Sequence, residues 1–211
     1  MNMFNFHTHN KSENYGIINI FPGDETIAGK RYSCGLHPWN YSEIYDKDLS
    51  KIEVLAKENK LVAIGETGFD PKSPVDLNLQ TKIFQKHVEI SEKYNLPLII
   101  HCVKFYNQLI AIKSQIKPEN VWIIHGFNGK ITIAEELVAN GFYFSLSEII
   151  LKDIGKAARL LEIIPTENIF FETDNKNYNI ESIYNFAAKQ FSMSLADLKK
   201  YLEINLKIMG I

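Results

Sequence analysis

The sequence predicts an α/β chain folded as a (β/α)8 barrel, abbreviated at its first two β-to-α connections. Three observations carry that expectation. Eight short apolar runs occur within 211 residues, and the last six are each followed by an amphipathic segment of helical period. Several runs are continuously apolar, as in Leu98-Ile99-Ile100, Trp122-Ile123-Ile124 and Ile169-Phe170-Phe171, as expected of parallel strands covered on both faces. Residues able to bind metals or move protons gather at the C-terminal ends of these runs, which in a closed parallel barrel converge on one mouth. An open doubly wound sheet is the alternative, and the placement of those polar ends favours the barrel.

In chain order, the expected strands are 3–7, 16–21, 31–36, 61–66, 96–101, 121–125, 142–145 and 168–172. Connections 10–15 and 22–30 are too short for a full helix, consistent with a chain below the ~250 residues usual for the fold. Helices are expected at 49–60, with Leu49, Ile52, Val54, Leu55 and Ala56 on its apolar stripe, and at 78–94, with Leu79, Ile83, Phe84, His87, Val88 and Ile90. Segments 105–114, 131–140 and 151–163 follow, Asn140-Gly141 reading as a helix stop. Two more helices, 180–191 and 194–209, come after the eighth strand. Ser194 stands at the cap of the last, with Asp197 near its positive end.

Composition narrows the class further. Hydrophobic content of 45% and charged content of 23% are those of an ordinary globular protein, with no low-complexity stretch or linker, so residues 1–211 read as a single domain. A net charge of −2 argues against a surface built to grip long duplex nucleic acid, although a local phosphate site needs only a few groups. No apolar run approaches a membrane span and no leader pattern opens the chain, so no membrane is expected. Two cysteines, Cys34 and Cys102, are too few for a disulfide framework, and a reducing cytoplasm is the expected compartment. Both are read as packing residues.

Five of the six histidines stand at or just past strand ends: His7, His9, His37, His101 and His125. Glu66 and Asp174 do the same. His7 and His9 are two apart, so on a strand they share a face. Burying so many polar groups around one cavity is costly without partners, and metal ions supply them. His7, His9, Glu66, His101, His125 and Asp174 make six donors, enough for two ions with three or four each. The expected division is His7, His9 and Asp174 on one ion and His101 and His125 on the other, with Glu66 bridging. Paired ions about 3.5–4 Å apart are the known arrangement for phosphate-ester hydrolysis.

The ordered motifs His-x-His, Gly-Leu-His-Pro, Ile-Gly-Glu-Thr-Gly-Phe-Asp, Leu-Pro-Leu-Ile-Ile-His, Ile-His-Gly-Phe-x-Gly and Glu-Thr-Asp resemble those of the TatD family of metal-dependent deoxyribonucleases, in the amidohydrolase superfamily. The resemblance covers residues 5 to about 175. It implies a TIM barrel, two divalent ions (Mg, Mn or Zn) and exonuclease-like phosphodiester hydrolysis on DNA, single strands or ends being favoured. By position it carries the metal-ligand role to the same six residues, places His37 near the substrate phosphate, and gives Asp174 the proton of the attacking water, making Asp174 and Glu66 the catalytic pair. Four positions depart from the family pattern: Asn5 replaces an Asp, Val103 an Arg, Asn128 a Ser, and no Pro follows Asp174. Lactone or C–N hydrolysis and a non-catalytic metal-binding barrel are the competing readings.

Lys104 and Lys130, on strand-end loops, are candidate phosphate contacts. Trp39 and Phe127 read as packing residues, with base stacking the alternative. His87, in mid-helix, reads as packing. Glu172 reads either as a wall of the same cavity or as support behind it.

Overall fold

A computed structural model describes residues 3–211. All eight strands form, in one parallel sheet whose spatial order follows the chain: β1 (Asn5–Thr8), β2 (Gly16–Ile20), β3 (Arg31–Cys34), β4 (Ala63–Phe69), β5 (Leu98–Cys102), β6 (Trp122–Ile124), β7 (Tyr143–Leu146) and β8 (Ile169–Phe171). The sheet closes through a parallel bridge between Thr8 and Asp174. There the Asp174 amide donates to the His7 carbonyl at 3.0 Å and the His9 amide to the Asp174 carbonyl at 3.2 Å.

The helices are α1 (Asp46–Lys57), α2 (Leu77–Tyr94), α3 (Tyr106–Ile116), α4 (Ile131–Ala139), α5 (Ile149–Lys152), α6 (Ile154–Ile163), α7 (Ile180–Gln190) and α8 (Leu195–Ile208). Neither β1–β2 nor β2–β3 carries a helix, and β3 leads into α1 through a 3-10 turn at Pro38–Asn40. The barrel is abbreviated where the sequence indicates. The single helix expected at 151–163 is two. The break falls at Asp153, whose carboxylate accepts from the Lys156 amide and so starts α6 afresh. Ser194 caps α8 in the same way, accepting from the Asp197 amide.

The fourth strand also runs further than its apolar content indicates, ending at Phe69 instead of Glu66. Its glycines are strand residues because β5 comes so close. A Cβ on Gly65 would collide with the Ile99 carbonyl oxygen and one on Gly68 with that of His101, and both have positive φ. Glu66 therefore sits within the strand, at a register shift between the pairs Ile64–Leu98 and Thr67–Ile100. Outside the barrel, Phe84 of α2 packs at 5.0 Å on Phe69 and edge-on at 5.3 Å on Trp122, which continues to Phe142 at 6.1 Å. This aromatic belt ties α2 to β4 and β6. Among the described residues no helix is long and apolar enough to cross a membrane.

Candidate metal centre

The C-terminal ends of the strands deliver their polar side chains to one cavity of about 410 Å³, lined by His9, His37, Glu66, His101, His125 and Asp174 among others. His7 lies beneath it, wholly buried. Glu66 is the common neighbour. Its Oε2 is 2.7 Å from His125 Nε2 and 3.7 Å from His7 Nε2, and its Oε1 is 3.3 Å from His9 Nε2. Asp174 Oδ1 stands 3.5 Å from His9 Nε2 and 3.8 Å from His7 Nε2. Three overlapping sets have donor atoms within 4.8 Å of one another: His7–His9–Glu66, His7–His125–Asp174 and His37–Glu66–His101.

Several interactions aim these groups. Asn19 of β2 accepts from the Glu66 amide at 3.0 Å and from Ser33 Oγ at 3.0 Å, fixing the strand that carries the carboxylate. The Tyr41 hydroxyl accepts from the Gly68 amide at 3.0 Å and donates to the Gly68 carbonyl at 3.1 Å. Two histidines are backed by carboxylates: His101 Nε2 lies 2.8 Å from Asp70 Oδ2, and His125 Nδ1 lies 3.3 Å from Glu172 Oε1. A carboxylate behind an imidazole fixes its tautomer and raises its basicity, the arrangement that surrounds metal-ligating histidines. Glu172 thus supports His125 from behind.

The charges are strongly coupled. Burial alone raises the Glu66 carboxyl, but His125, His9 and His7 around it outweigh burial and hold it well below the usual carboxylate range. Burial depresses His125 as well, yet Glu66 and Glu172 together push it well above an ordinary imidazole. His7 goes the other way: burial, and then the neighbouring His125, hold it neutral. Both ring nitrogens of His7 lack a hydrogen-bond partner, and so does His125 Nε2 despite its nearness to Glu66. Unpartnered buried nitrogens beside carboxylates are costly for a bare protein and suited to a cation. The donor set of imidazoles and carboxylates fits divalent metal.

The six expected ligands are all brought together here. The expected split is less clean, since His125 groups with His7 and Asp174, and His37 joins Glu66 and His101. His37 Nδ1 accepts from the Trp39 amide at 3.1 Å, which leaves the proton of the neutral ring on Nε2. Burial lowers its pKa to about 4. Neither Lys104 nor Lys130 lines the cavity; Lys104 sits in a positive-φ turn and Lys130 precedes α4, whereas Lys176 is part of the wall. Phe127 is buried, as read, but Trp39 is 52% exposed and packs in no core. Cys34 and Cys102 are buried thiols that burial raises to about 12, although Cys102 also touches the cavity wall.

Asp70 is the last residue of Ile-Gly-Glu-Thr-Gly-Phe-Asp, but it stands just past a strand end only because β4 runs on to Phe69 instead of ending at residue 66. Asn19 and Tyr41 carry no sequence signal, because a lone polar residue in an apolar run does not announce its partner.

Fold and site together define a (β/α)8-barrel protein with a histidine–carboxylate centre at its mouth. The family model for TatD-related DNase matches residues 25–207, and the chain belongs to that family. An uncharacterized metal-dependent hydrolase of Bacillus subtilis, YabD, is 32% identical over 147 residues, covering 67% of this chain and 57% of the relative. A 3'-5' ssDNA/RNA exonuclease, TatD, of Erwinia tasmaniensis is 27% identical over 146 residues, covering 67% and 56%. The chain spans less than two thirds of the length of these curated relatives. A crystal structure of a TatD family hydrolase from Entamoeba histolytica superposes with a TM-score of 0.78 at 16% identity, covering 98% of this chain and 97% of the other.

Proposed function

We propose that the protein is a metal-dependent phosphodiesterase acting on DNA, with two divalent ions held by His7, His9, Glu66, His101, His125 and Asp174. The observation that carries this reading is the set of unpartnered buried nitrogens on His7 and His125, crowded against Glu66 under an open cavity. Family membership and the exonuclease name of one relative support the same chemistry. His7, His9 and Asp174 would hold one ion and His101 and His125 the other, with Glu66, within 3.7 Å of three imidazoles, placed to serve both. With Nε2 engaged by Asp70, His101 offers Nδ1. An imidazole-rich set favours Zn over Mg.

Ions at such a centre supply Lewis acidity, acidifying a water and offsetting charge on phosphoryl oxygens. Asp174 reaches the cavity from the barrel seam, and its carboxylate takes the proton of the attacking water. A new P–O bond forms as the ester P–O bond breaks, and that proton passes to the departing alcohol. His37, neutral with its proton on Nε2, donates to a phosphate oxygen. That assignment suits it better than metal ligation, because the Nδ1 lone pair already accepts from Trp39.

The test uses purified protein loaded with Zn, Mn or Mg, offered single-stranded DNA, a simple phosphodiester and a lactone, with and without chelator. Metal-dependent cleavage of the DNA is expected, falling about 10²–10⁴-fold in Asp174→Asn, the range for loss of a general base. Lactone turnover alone, or no turnover at full metal occupancy, overturns the reading.

A further inference from the structure

We infer that Trp39 is a stacking platform for the nucleobase adjoining the scissile phosphate, so that recognition of a nucleic-acid end rests on base stacking more than on charge. The inference depends on the phosphodiesterase reading for where the phosphate lies. The platform itself rests on separate observations.

The chain has two tryptophans, and they are opposites. Trp122 is fully buried in the belt beneath α2, whereas Trp39 leaves 52% of its surface in solvent while lining the cavity. The exposed indole is nonetheless held. Its residue sits in the 3-10 turn after His37, its amide donates to His37 Nδ1, and its ring meets the His37 imidazole edge-on at 4.8 Å. Its ring centre is 6.3 Å from that of His101. A fixed apolar plane therefore stands beside the two histidines on that side of the centre.

Across the histidine cluster Phe21 repeats the pattern: it is 45% exposed, lines the cavity, and lies 6.4 Å from His9. Both aromatics come from the ends of β2 and β3, where the barrel is abbreviated. No helix follows β2, and only the short turn carrying Trp39 intervenes between β3 and α1.

Charge does not supply the alternative grip. Among the described residues Lys176 is the one lysine or arginine in the wall, against Glu66, Glu148 and Asp174, position 103 is a valine, and Lys72 Nζ lies outside the wall, 5.7 Å from the Trp39 ring centre. Proteins that bind single strands combine basic grooves with aromatic platforms, and stacking tolerates any base because every base has a π-face. Here two exposed aromatics line the cavity, while the nearby cations are single lysines, Lys72 beside Trp39 and Lys176 in the wall, and form no basic groove. The chemistry that fits is a planar, π-faced base on a short or terminal segment.

Trp39 also provides the readout, since the other indole is buried. Metal-loaded protein is titrated with deoxyadenosine 5′-monophosphate and with deoxyribose 5-phosphate, following tryptophan fluorescence and, in parallel, heat of binding. The mononucleotide is expected to quench and to bind more tightly than the base-free sugar phosphate. Trp39→Ala should weaken mononucleotide binding and raise KM for a single-stranded oligonucleotide by roughly 5- to 150-fold. It should leave sugar-phosphate binding unchanged and kcat nearly so, and Trp39→Phe should restore most of the loss.

Equal affinity for the two ligands, or equal loss of both in Trp39→Ala, overturns the platform, the latter marking Trp39 as a prop for His37. Base-dependent binding without hydrolysis would sustain the platform while the phosphodiesterase reading fell. Hydrolysis without base dependence would do the reverse.

Discussion

Asn5 shows how much one side chain can settle. It is 3% exposed, its Oδ1 accepts from the Thr173 amide at 3.0 Å, and its Nδ2 donates to Thr173 Oγ1 at 2.8 Å and to Glu13 Oε2 at 3.2 Å. Only an amide meets all three demands, and Thr173 precedes Asp174. An acid at this position, as the family pattern has it, would lose both donors and face Glu13 as a like charge. Asn5→Asp is expected to destabilise the fold by about 2 kcal/mol, or roughly 4–8 °C in Tm for a chain of this size. It should also lower kcat by displacing Asp174. Glu13→Gln added to it should recover most of the loss, because the glutamine amide donates back. Thermal melts of the unmutated protein, the two single variants and the double variant check this, and a purely additive pair would refute the coupling. The departure at Asn5 is visible in the sequence. Its compensation is not, since Thr173 lies 168 residues away.

At the scale of elements, α2 does more than cover β4. His87, on its buried face, bridges two elements: Nδ1 faces the Ile83 carbonyl at 2.8 Å and Nε2 accepts from the Leu36 amide at 3.0 Å. The residue thus anchors the loop that presents His37 and Trp39. The packing role expected of it holds, with the addition that it positions the rim. Burial lowers its pKa to about 4, from an ordinary value of 6.5. In that interval the unfolded chain binds a proton that the folded chain refuses. Stability from this group is therefore complete above pH 6.5 and is lost as pH falls toward 4, by about 3 kcal/mol in all. Urea midpoints measured across that range should fall. In His87→Gln the midpoint should be lower at neutral pH but the slope with pH shallower, and an unchanged slope would rule His87 out as the source. The helical stripe made the burial of His87 legible. Its bond to Leu36 spans 51 positions and belongs to the fold alone.

For the whole molecule, closing the barrel and assembling the site are one event. The bonds that join β1 to the end of β8 run through His7, His9 and Asp174, three of the six expected metal ligands. Without a cation the same seam gathers buried, unpartnered nitrogens and mutually repelling histidines. Metal should therefore stabilise the closure itself. Removing it with chelator is expected to lower Tm by roughly 5–10 °C, from about 2.7 kcal/mol of linkage at a hundredfold excess over Kd. Hydrogen exchange should quicken at the His9 and Asp174 amides while those of Ile99 and Ile123, deep in β5 and β6, stay protected. A uniform loss of protection, or none, would separate the seam from the metal.

The sequence by itself determined the barrel, the eight strands in order, the two helix-free connections and the six polar residues at the mouth. Each follows from local periodicity or from position along a strand, and both are properties of neighbours in the chain. The tertiary structure decided the rest: that Glu66 lies inside β4 instead of ending it, that Asp70 and Glu172 stand behind His101 and His125, that Lys104 and Lys130 lie outside the cavity while Lys176 lines it, and that Trp39 is exposed. Those facts depend on how close β5 comes to two glycines and on which loops the missing helices leave uncovered. Such distances are set between segments remote in sequence, where pattern is silent and packing chooses.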